Sequence, residues 1–314
     1  MKPEILYIGS FPEATAKSLN ESYTVHHFRN LPIPADAFTP EAAKRIRAVA
    51  TEANRGMTRE MMERFPNVEI ISVFGVGVDA VDLKAAREKC IPVTNTPDVI
   101  GPECADLAIG LMLASARQIL YADRYVRDGE WAAKGPIRLG RSVGGKTCGI
   151  IGLGGIGRAI ADRAAAFRMR VIYQGPRKKP DAPYEYIADP VELARQSDYL
   201  MVACKGGEET RHIVSKAVIE ALGPQGTLIN LARGSCIDEP AMIEALKTGR
   251  LGYAALDVFE NAPNISKELL ALPNVIVQPH HATATVETRT EIGQVMLDNL
   301  AAHFAGKKLI NPVM

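Results

Sequence analysis

Residues 146–157 read KTCGIIGLGGIG, and the local chemistry is that of a strand, a tight turn and the start of a helix. Thr147 to Leu153 is apolar and β-branched enough for a buried strand. Gly152, Gly154 and Gly157 follow at G-x-G-x-x-G spacing. Each glycine has a mechanical role. Gly152 turns the chain sharply, Gly154 leaves room for a pyrophosphate to approach the backbone, and Gly157 lets the next helix pack close to the strand. Free N–H groups at that helix N-terminus point at phosphate. A lone glycine fingerprint is a weak signal. Here a strand precedes it and the Ala-rich stretch RAIADRAAAF follows it, which is the context a dinucleotide site requires. Gly152, Gly154, Gly155, Ile156 and Gly157 are the expected cofactor-binding positions.

Outward from this stretch, strands and helices alternate in two series. Upstream, ILYIGS, YTVHHF, AVAT, VEIISVFG and IPVTNT read as strands, with helices near Pro12 to Leu19, at EAAKRIR, TREMMERF and AVDLKAAREKC. Gly101 to Gln118 reads as one long helix, too apolar to face water on any side. Downstream, CGIIGL, RVIYQ, YLMVAC, TLINLA, GYAALDV and VIVQPH read as strands, and a last helix runs from about Glu287 to Phe304. Alternation of this kind predicts parallel sheets covered on both faces. The expected division is a substrate domain at 1–98 and 284–314, with the C-terminal helix returning to the first half, and a dinucleotide-binding domain at 99–283.

At 314 residues, two domains are the default. The chain is 47% hydrophobic and 23% charged, with a formal net charge of +1. That argues against disorder and gives no sign of a nucleic-acid or membrane surface. No apolar run reaches membrane-span length, and the N-terminus reads as a first strand rather than a secretory signal. The 5 cysteines are dispersed with no C-x-x-C pair, which suits reduced, structural thiols in a cytoplasmic protein. No metal site is expected.

Several motifs occur together and in order: FGVGVDAVD at 74–82, VTNTPDV at 93–99, GLGGIG at 152–157, LARGSCIDE at 231–239, LDVFE at 256–260 and QPHHATATVETR at 278–289. Through them essentially the whole chain resembles the D-isomer-specific 2-hydroxyacid dehydrogenases, in the glyoxylate/hydroxypyruvate reductase branch. The resemblance implies two Rossmann-like doubly wound parallel-sheet domains, an active-site cleft between them, and a homodimer. It also implies an enzyme that takes a small 2-keto or 2-hydroxy acid.

Reducing a 2-keto acid requires a grip on its carboxylate, a proton for its carbonyl oxygen and a hydride for its carbonyl carbon. Val76 and Gly77 lie in a Gly-x-Gly turn after a strand. Such a turn can aim backbone N–H groups at a carboxylate, or it can be an ordinary βα turn. The resemblance makes it the family's carboxylate loop. Arg233 stands at the end of a buried strand, where ligands bind in open α/β sheets, and its planar fork suits a carboxylate and carbonyl together. The resemblance makes it the substrate arginine. His280 follows VIVQP, and a histidine can give and take a proton near neutral pH. The resemblance makes it the acid/base residue and leaves its neighbour His281 structural. Asp257, ending GYAALD, is implied to face the nicotinamide amide; otherwise it is a turn cap.

The chain departs from the family where a glutamate normally precedes the proline of D-V-F-x-x-E-P and holds the catalytic histidine's proton. Here Ala262 stands in that place. Reductase activity is therefore expected to be weakened at neutral pH or to favour acid. Glu260 either substitutes or is a surface acid. Lys205 replaces a common proline and is either exposed or directed at cofactor phosphates. Arg55 is a possible substrate-side residue.

An NAD site would carry an acid at the end of the second strand of this series. RVIYQ ends instead in Gln174 and Gly175, followed by Pro176, Arg177 and Lys178. Cations attract a 2′-phosphate, so NADP(H) is expected in preference to NAD(H), with Arg177 and then Lys178 holding it. A solvated basic loop is the plain alternative. The leading reading is an NADPH-dependent 2-keto acid reductase. The competing one is a dinucleotide-binding protein with weakened catalysis that acts as a sensor or interaction module.

Overall fold

Short apolar runs between helices build two parallel sheets, and a computed structural model describes them over residues 2–97 and 99–313. Asp98 of the VTNTPDV motif lies outside the described residues. The chain divides into two units, Met1–Ile100 with Thr283–Met314, and Gly101–Ala282.

The first unit contains β1 (Glu4–Ile8), α1 (Glu13–Ser22), β2 (Thr24–Phe28), α2 (Pro40–Ala43), β3 (Ile46–Glu52), α3 (Arg59–Arg64), β4 (Ile70–Phe74), α4 (Leu83–Glu88) and β5 (Val93–Thr94). Its sheet runs β2-β1-β3-β4-β5, parallel throughout. Helices α2, α3 and α4 start at capping residues. The Thr58 hydroxyl accepts the Met61 N–H at 3.3 Å, and the Asp82 carboxylate accepts the Ala85 N–H at 2.8 Å. The stretch EAAKRIR, expected to be helical, stops being so at Ala43. Ile46 is 0% exposed and opens the buried run IRAVATE, so packing against β1 and β4 outweighs helix propensity there.

The second unit contains α5 (Gly101–Ala116), α6 (Ile119–Arg127), α7 (Glu130–Lys134), β6 (Thr147–Ile151), α8 (Gly155–Ala166), β7 (Arg170–Gln174), β8 (Glu185–Tyr186), α9 (Pro190–Arg195), β9 (Tyr199–Val202), α10 (Lys216–Leu222), β10 (Thr227–Asn230), α11 (Glu239–Lys247), β11 (Tyr253–Leu256), α12 (Lys267–Leu270) and β12 (Val275–Val277). The 7-stranded sheet runs β12-β11-β10-β9-β6-β7-β8, again parallel. The strand order reverses between β6 and β9, and that is where open sheets of this kind bind ligands. Helix α5 ends at Ala116, short of the expected Gln118, whose φ of 55° turns the chain into α6. The helix is not buried all round either. Pro102, Asp106 and Gly110 recur every fourth residue on an exposed edge, and Asp106 pairs with Arg163 of α8 at 2.6 Å.

The chain then returns to the first unit as α13 (Val286–Phe304), capped by Thr285. The Ser72 hydroxyl of β4 donates to the Met296 carbonyl at 3.3 Å. A side chain at Gly293 would strike Thr15 Oγ1 at 2.1 Å, so α13 and α1 touch backbone to side chain. Among the described residues no single helix is long and apolar enough to cross a membrane.

Candidate active site

The glycine turn after β6 is built by close contacts. Gly152 has φ +95°, and a Cβ there would sit 2.5 Å from Cys204 Cα. A Cβ on Gly157 would sit 2.0 Å from the Gly152 carbonyl oxygen. Those two glycines are required by the protein itself. Gly154 and Gly155 have nothing within 4 Å of the missing Cβ. The open space beside them faces the start of α8, where no side chain caps the helix. Uncapped N–H groups and an open backbone fit a pyrophosphate.

Beyond β7, the Tyr186 hydroxyl donates to the Gly175 carbonyl at 2.9 Å, and the Lys179 N–H donates to the Tyr173 hydroxyl at 2.7 Å. These bonds hold the loop that carries Arg177 and Lys178. Both cations are exposed and, among the described residues, form no ion pair. Asp181, on the same loop, pairs with Arg158 at 2.8 Å. The Gln174 Oε1 atom is buried with no partner, which suits a hydroxyl-bearing ligand at that strand end.

Strands β10, β11 and β12 are neighbours in register, Asn230 beside Leu256 and Leu256 beside Val277. Arg233, Asp257 and His280 therefore emerge from one end of three adjacent strands. The Asn230 side chain shapes the first exit, accepting the Ala232 N–H at 3.0 Å and donating to the Arg233 carbonyl at 2.9 Å. Arg233 is half-buried, and its Nη1 donates to the Ala232 carbonyl at 2.8 Å. Gly234 has no room for a side chain, because a Cβ would meet the Phe259 carbonyl carbon at 2.0 Å.

Asp257 is 1% exposed. Its Oδ1 accepts the His281 N–H at 2.9 Å and its Oδ2 accepts the Ala282 N–H at 3.1 Å. The carboxylate thus clamps the loop that carries His280, which is exposed and adopts φ 55°. That conformation is uncommon for a residue with a Cβ, and the clamp helps hold it. Sequence reading missed this role, together with those of Asn230 and Gly234. Cys104 of α5 lies beside this end of the sheet. Burial pushes its thiol up to about 12, with Asp257 adding to the effect and Arg233 opposing it.

Ala262 is exposed and brings no carboxylate. Glu260 faces Arg211 at 3.2 Å and His212 at 3.8 Å. Lys205 is exposed. In the first unit, Gly75, at φ +129°, leads from β4 into Val76 and Gly77. The Asn95 amide donates to the Val76 carbonyl at 2.8 Å. Among the described residues no hydrogen bond takes up the N–H of Val76 or Gly77. Arg55 lies 3.6 Å from Glu52. His26, His27 and His303 pair with Glu4, the Gly9 carbonyl and Glu69.

A doubly wound sheet with a glycine-lined, uncapped helix start at its switch point defines a dinucleotide-binding protein. Residues 109–282 match the family model described as D-isomer specific 2-hydroxyacid dehydrogenase, NAD binding domain. Over 269 residues, 86% of each chain, the sequence is 49% identical to a glyoxylate/hydroxypyruvate reductase A of Arabidopsis thaliana. A solved 2-hydroxyacid dehydrogenase from Ketogulonicigenium vulgare superposes with a TM-score of 0.94 at 48% identity, covering 100% of this chain and 99% of that one. An NADPH-dependent glyoxylate/hydroxypyruvate reductase from Sinorhizobium meliloti, solved with NADP and malonate, superposes with a TM-score of 0.93 at 37% identity, covering 100% and 97%. The chain belongs to the D-isomer specific 2-hydroxyacid dehydrogenase family and is an oxidoreductase with a nicotinamide dinucleotide cofactor.

Proposed function

We propose that the protein reduces a small 2-keto acid of the glyoxylate or hydroxypyruvate kind to its D-2-hydroxy acid, using NADPH in preference to NADH. The observation that carries this is the exit of Arg233, Asp257 and His280 from one end of three adjacent strands. Gly152, Gly154, Gly155, Ile156 and Gly157 hold the pyrophosphate, Arg177 and Lys178 the 2′-phosphate, and Asp257 lies nearest the amide end. The bound coenzyme supplies the hydride. Arg233 grips the acid's carboxylate and carbonyl. The turn at Val76 and Gly77 keeps its expected role as a carboxylate-binding loop. His280 gives its proton to the carbonyl oxygen as charge develops there.

Support for NADPH is the loop after β7, with two exposed cations that form no ion pair among the described residues and no acid at the strand end. The S. meliloti relative, described as NADPH-dependent, is consistent with it. The test is the ratio of kcat/KM for NADPH over NADH in glyoxylate reduction, and a ratio below one refutes the preference. Exchanging Arg177→Glu should lower that ratio. Ala262 favours a second reading, a dinucleotide-binding member with weakened catalysis that serves as a sensor or interaction protein. Glyoxylate turnover with NADPH separates the two.

A homodimer is part of the same proposal. Around α6 and α7, Trp131 is 61% exposed and Leu139 94%, alongside Ile119, Leu120, Tyr121 and Val126. An apolar surface of this kind is covered in a stable assembly. Sedimentation should give twice the chain mass.

A further inference from the structure

Two cysteines outside the proposed chemistry meet at the carboxyl end of the second sheet. Cys204 follows β9, and Cys236 closes the turn that begins at Arg233. Their sulfurs are 3.8 Å apart, although the residues lie 32 positions apart in sequence. The place is sensitive. The Cys204 backbone rests on Gly152, within 2.5 Å of where a Cβ would stand. The Cys236 N–H donates to the Arg233 carbonyl at 3.1 Å. The remaining cysteines are differently placed. Cys104 and Cys148 are buried, with thiols pushed up to about 12 by burial, and Cys90 is exposed on the first unit.

The pair is also chemically asymmetric. Cys204 is half-buried, while Cys236 is 0% exposed. A hydrogen bond joins the two sulfurs, and either can be its donor. That hydrogen bond holds the Cys236 thiol below the ordinary range against the opposing effect of burial, with smaller help from the Arg233 backbone, the Thr210 hydroxyl and the Arg233 charge. Cys204 is raised correspondingly. The hydrogen bond between the two sulfurs couples their titrations.

We propose that Cys204 and Cys236 form a redox-reactive dithiol that hydrogen peroxide closes to a reversible disulfide beside the glycine turn. Peroxide meets the half-buried Cys204 thiol. The sulfur takes one oxygen, the O–O bond breaks, and the leaving hydroxide takes the Cys204 proton as the first water, giving a sulfenic acid. The Cys236 sulfur then attacks the Cys204 sulfur. The S–S bond forms, the S–O bond breaks, and the leaving hydroxide takes the Cys236 proton as the second water. Two thiols are oxidised and one peroxide is reduced. A disulfide bond is about 2.05 Å long, so closure draws the sulfurs in from 3.8 Å. Both sit on turns, and both turns move. One supports Gly152 and the other presents Arg233. Displacements near 1 Å in a site lower rates by on the order of 100-fold. The crosslink itself is independent of the reductase reading, and its effect on turnover rests on that reading.

The test uses the whole chain carrying Cys90→Ser, which removes the exposed thiol. After peroxide treatment, alkylation and proteolysis, mass spectrometry should find one Cys204–Cys236 linked peptide pair. Dithiothreitol should abolish it, and Cys204→Ser or Cys236→Ser should prevent it. If Cys236→Ser fails to fold, Cys204→Ala at the half-buried position provides the same control. The proposal is overturned if Cys204 oxidises to a sulfinic acid while Cys236 still alkylates, or if neither reacts. Glyoxylate reduction with NADPH should fall at least tenfold in the linked protein and recover with dithiothreitol. Unchanged turnover in fully linked protein overturns the regulatory part alone. No turnover in the untreated protein refutes the reductase reading and leaves the crosslink result standing.

Discussion

Gly154 and Gly157 stand three positions apart in the same turn, yet the structure assigns them opposite reasons for lacking a side chain. At Gly157 an added methyl group would sit 2.0 Å from the Gly152 carbonyl oxygen and 3.4 Å from Ile150 Cγ2. The obstacle is backbone, so α8 must shift away from β6. Overpacking of that kind costs about 1–3 kcal/mol. For a unit of this size that corresponds to a melting decrease of about 2–4 °C per kcal/mol. At Gly154, φ is −86° and ψ −159°, which alanine adopts readily, and nothing lies within 4 Å. Gly154→Ala should leave the melting temperature unchanged, or raise stability by about 0.4–1 kcal/mol by restricting the unfolded chain. Its methyl group would stand where a phosphate approaches the helix N-terminus. Losing one charge-assisted hydrogen bond there removes about 1.5–3 kcal/mol, or roughly ten- to hundredfold in affinity. Thermal melts of the free protein and calorimetric titration with NADPH measure the two effects separately. Wild-type affinity in Gly154→Ala would refute a phosphate cradle at this turn. A melting decrease equal to that of Gly157→Ala would show that residue 154 is required by packing instead.

Three further outcomes are expected. Asp257→Asn keeps one acceptor but turns an amide NH2 toward the other backbone N–H, so one clamp bond to residues 281–282 is lost. Leaving a buried donor unpaired costs about 1–3 kcal/mol in urea unfolding, and an unchanged midpoint would contradict the clamp. Ala262→Glu should raise the neutral-pH rate, because a carboxylate favours the imidazolium. The alkaline limb of the reduction profile should then move up by about 1–3 pH units. Glu69 is held below the ordinary carboxylate value by its hydrogen bond to Arg47, with His303 contributing. A lowered folded value stabilises the protein above the unfolded carboxylate value, and the effect is lost as pH falls through the folded one. The pair is solvent-exposed, so Glu69→Gln should cost less than about 1 kcal/mol at neutral pH and nothing in strong acid, as followed by urea unfolding at both pH values.

The strands most visible in the sequence are those buried on both faces. TLIN and YLMV are wholly buried, and a continuous apolar run is what a covered parallel strand requires. Strand β8 was not visible because it is two residues at a sheet edge, Glu185 and Tyr186, with no apolar run to mark it. The exposed edge of α5 escaped because Pro102, Asp106 and Gly110 are too few to offset the apolar residues between them. The positions of Arg233, Asp257 and His280 at strand ends were legible because each follows an apolar run in the sequence, while the roles expected of Arg233 and His280 came from the resemblance. The Asp257 clamp spans 24 residues, and the two reactive sulfurs are 32 positions apart. Neither pairing has a local signature, because each exists only once neighbouring strands lie in register.

That register also decides how the missing glutamate can be studied. The loop carrying Ala262 is anchored before it reaches residue 262. Phe259 presses on Gly234, the Glu260 N–H donates to the buried Glu239 at 3.2 Å, and the Glu260 carboxylate faces Arg211. Ala262 itself is exposed. A carboxylate restored at 262 therefore arrives on a loop whose course is already set, at a position with room for it. Glu260 is held by its own partners and is poorly placed to have taken over that task. A change in rate and pH profile on Ala262→Glu would then report proton chemistry at His280 rather than a refolded loop, provided that melting behaviour stays the same.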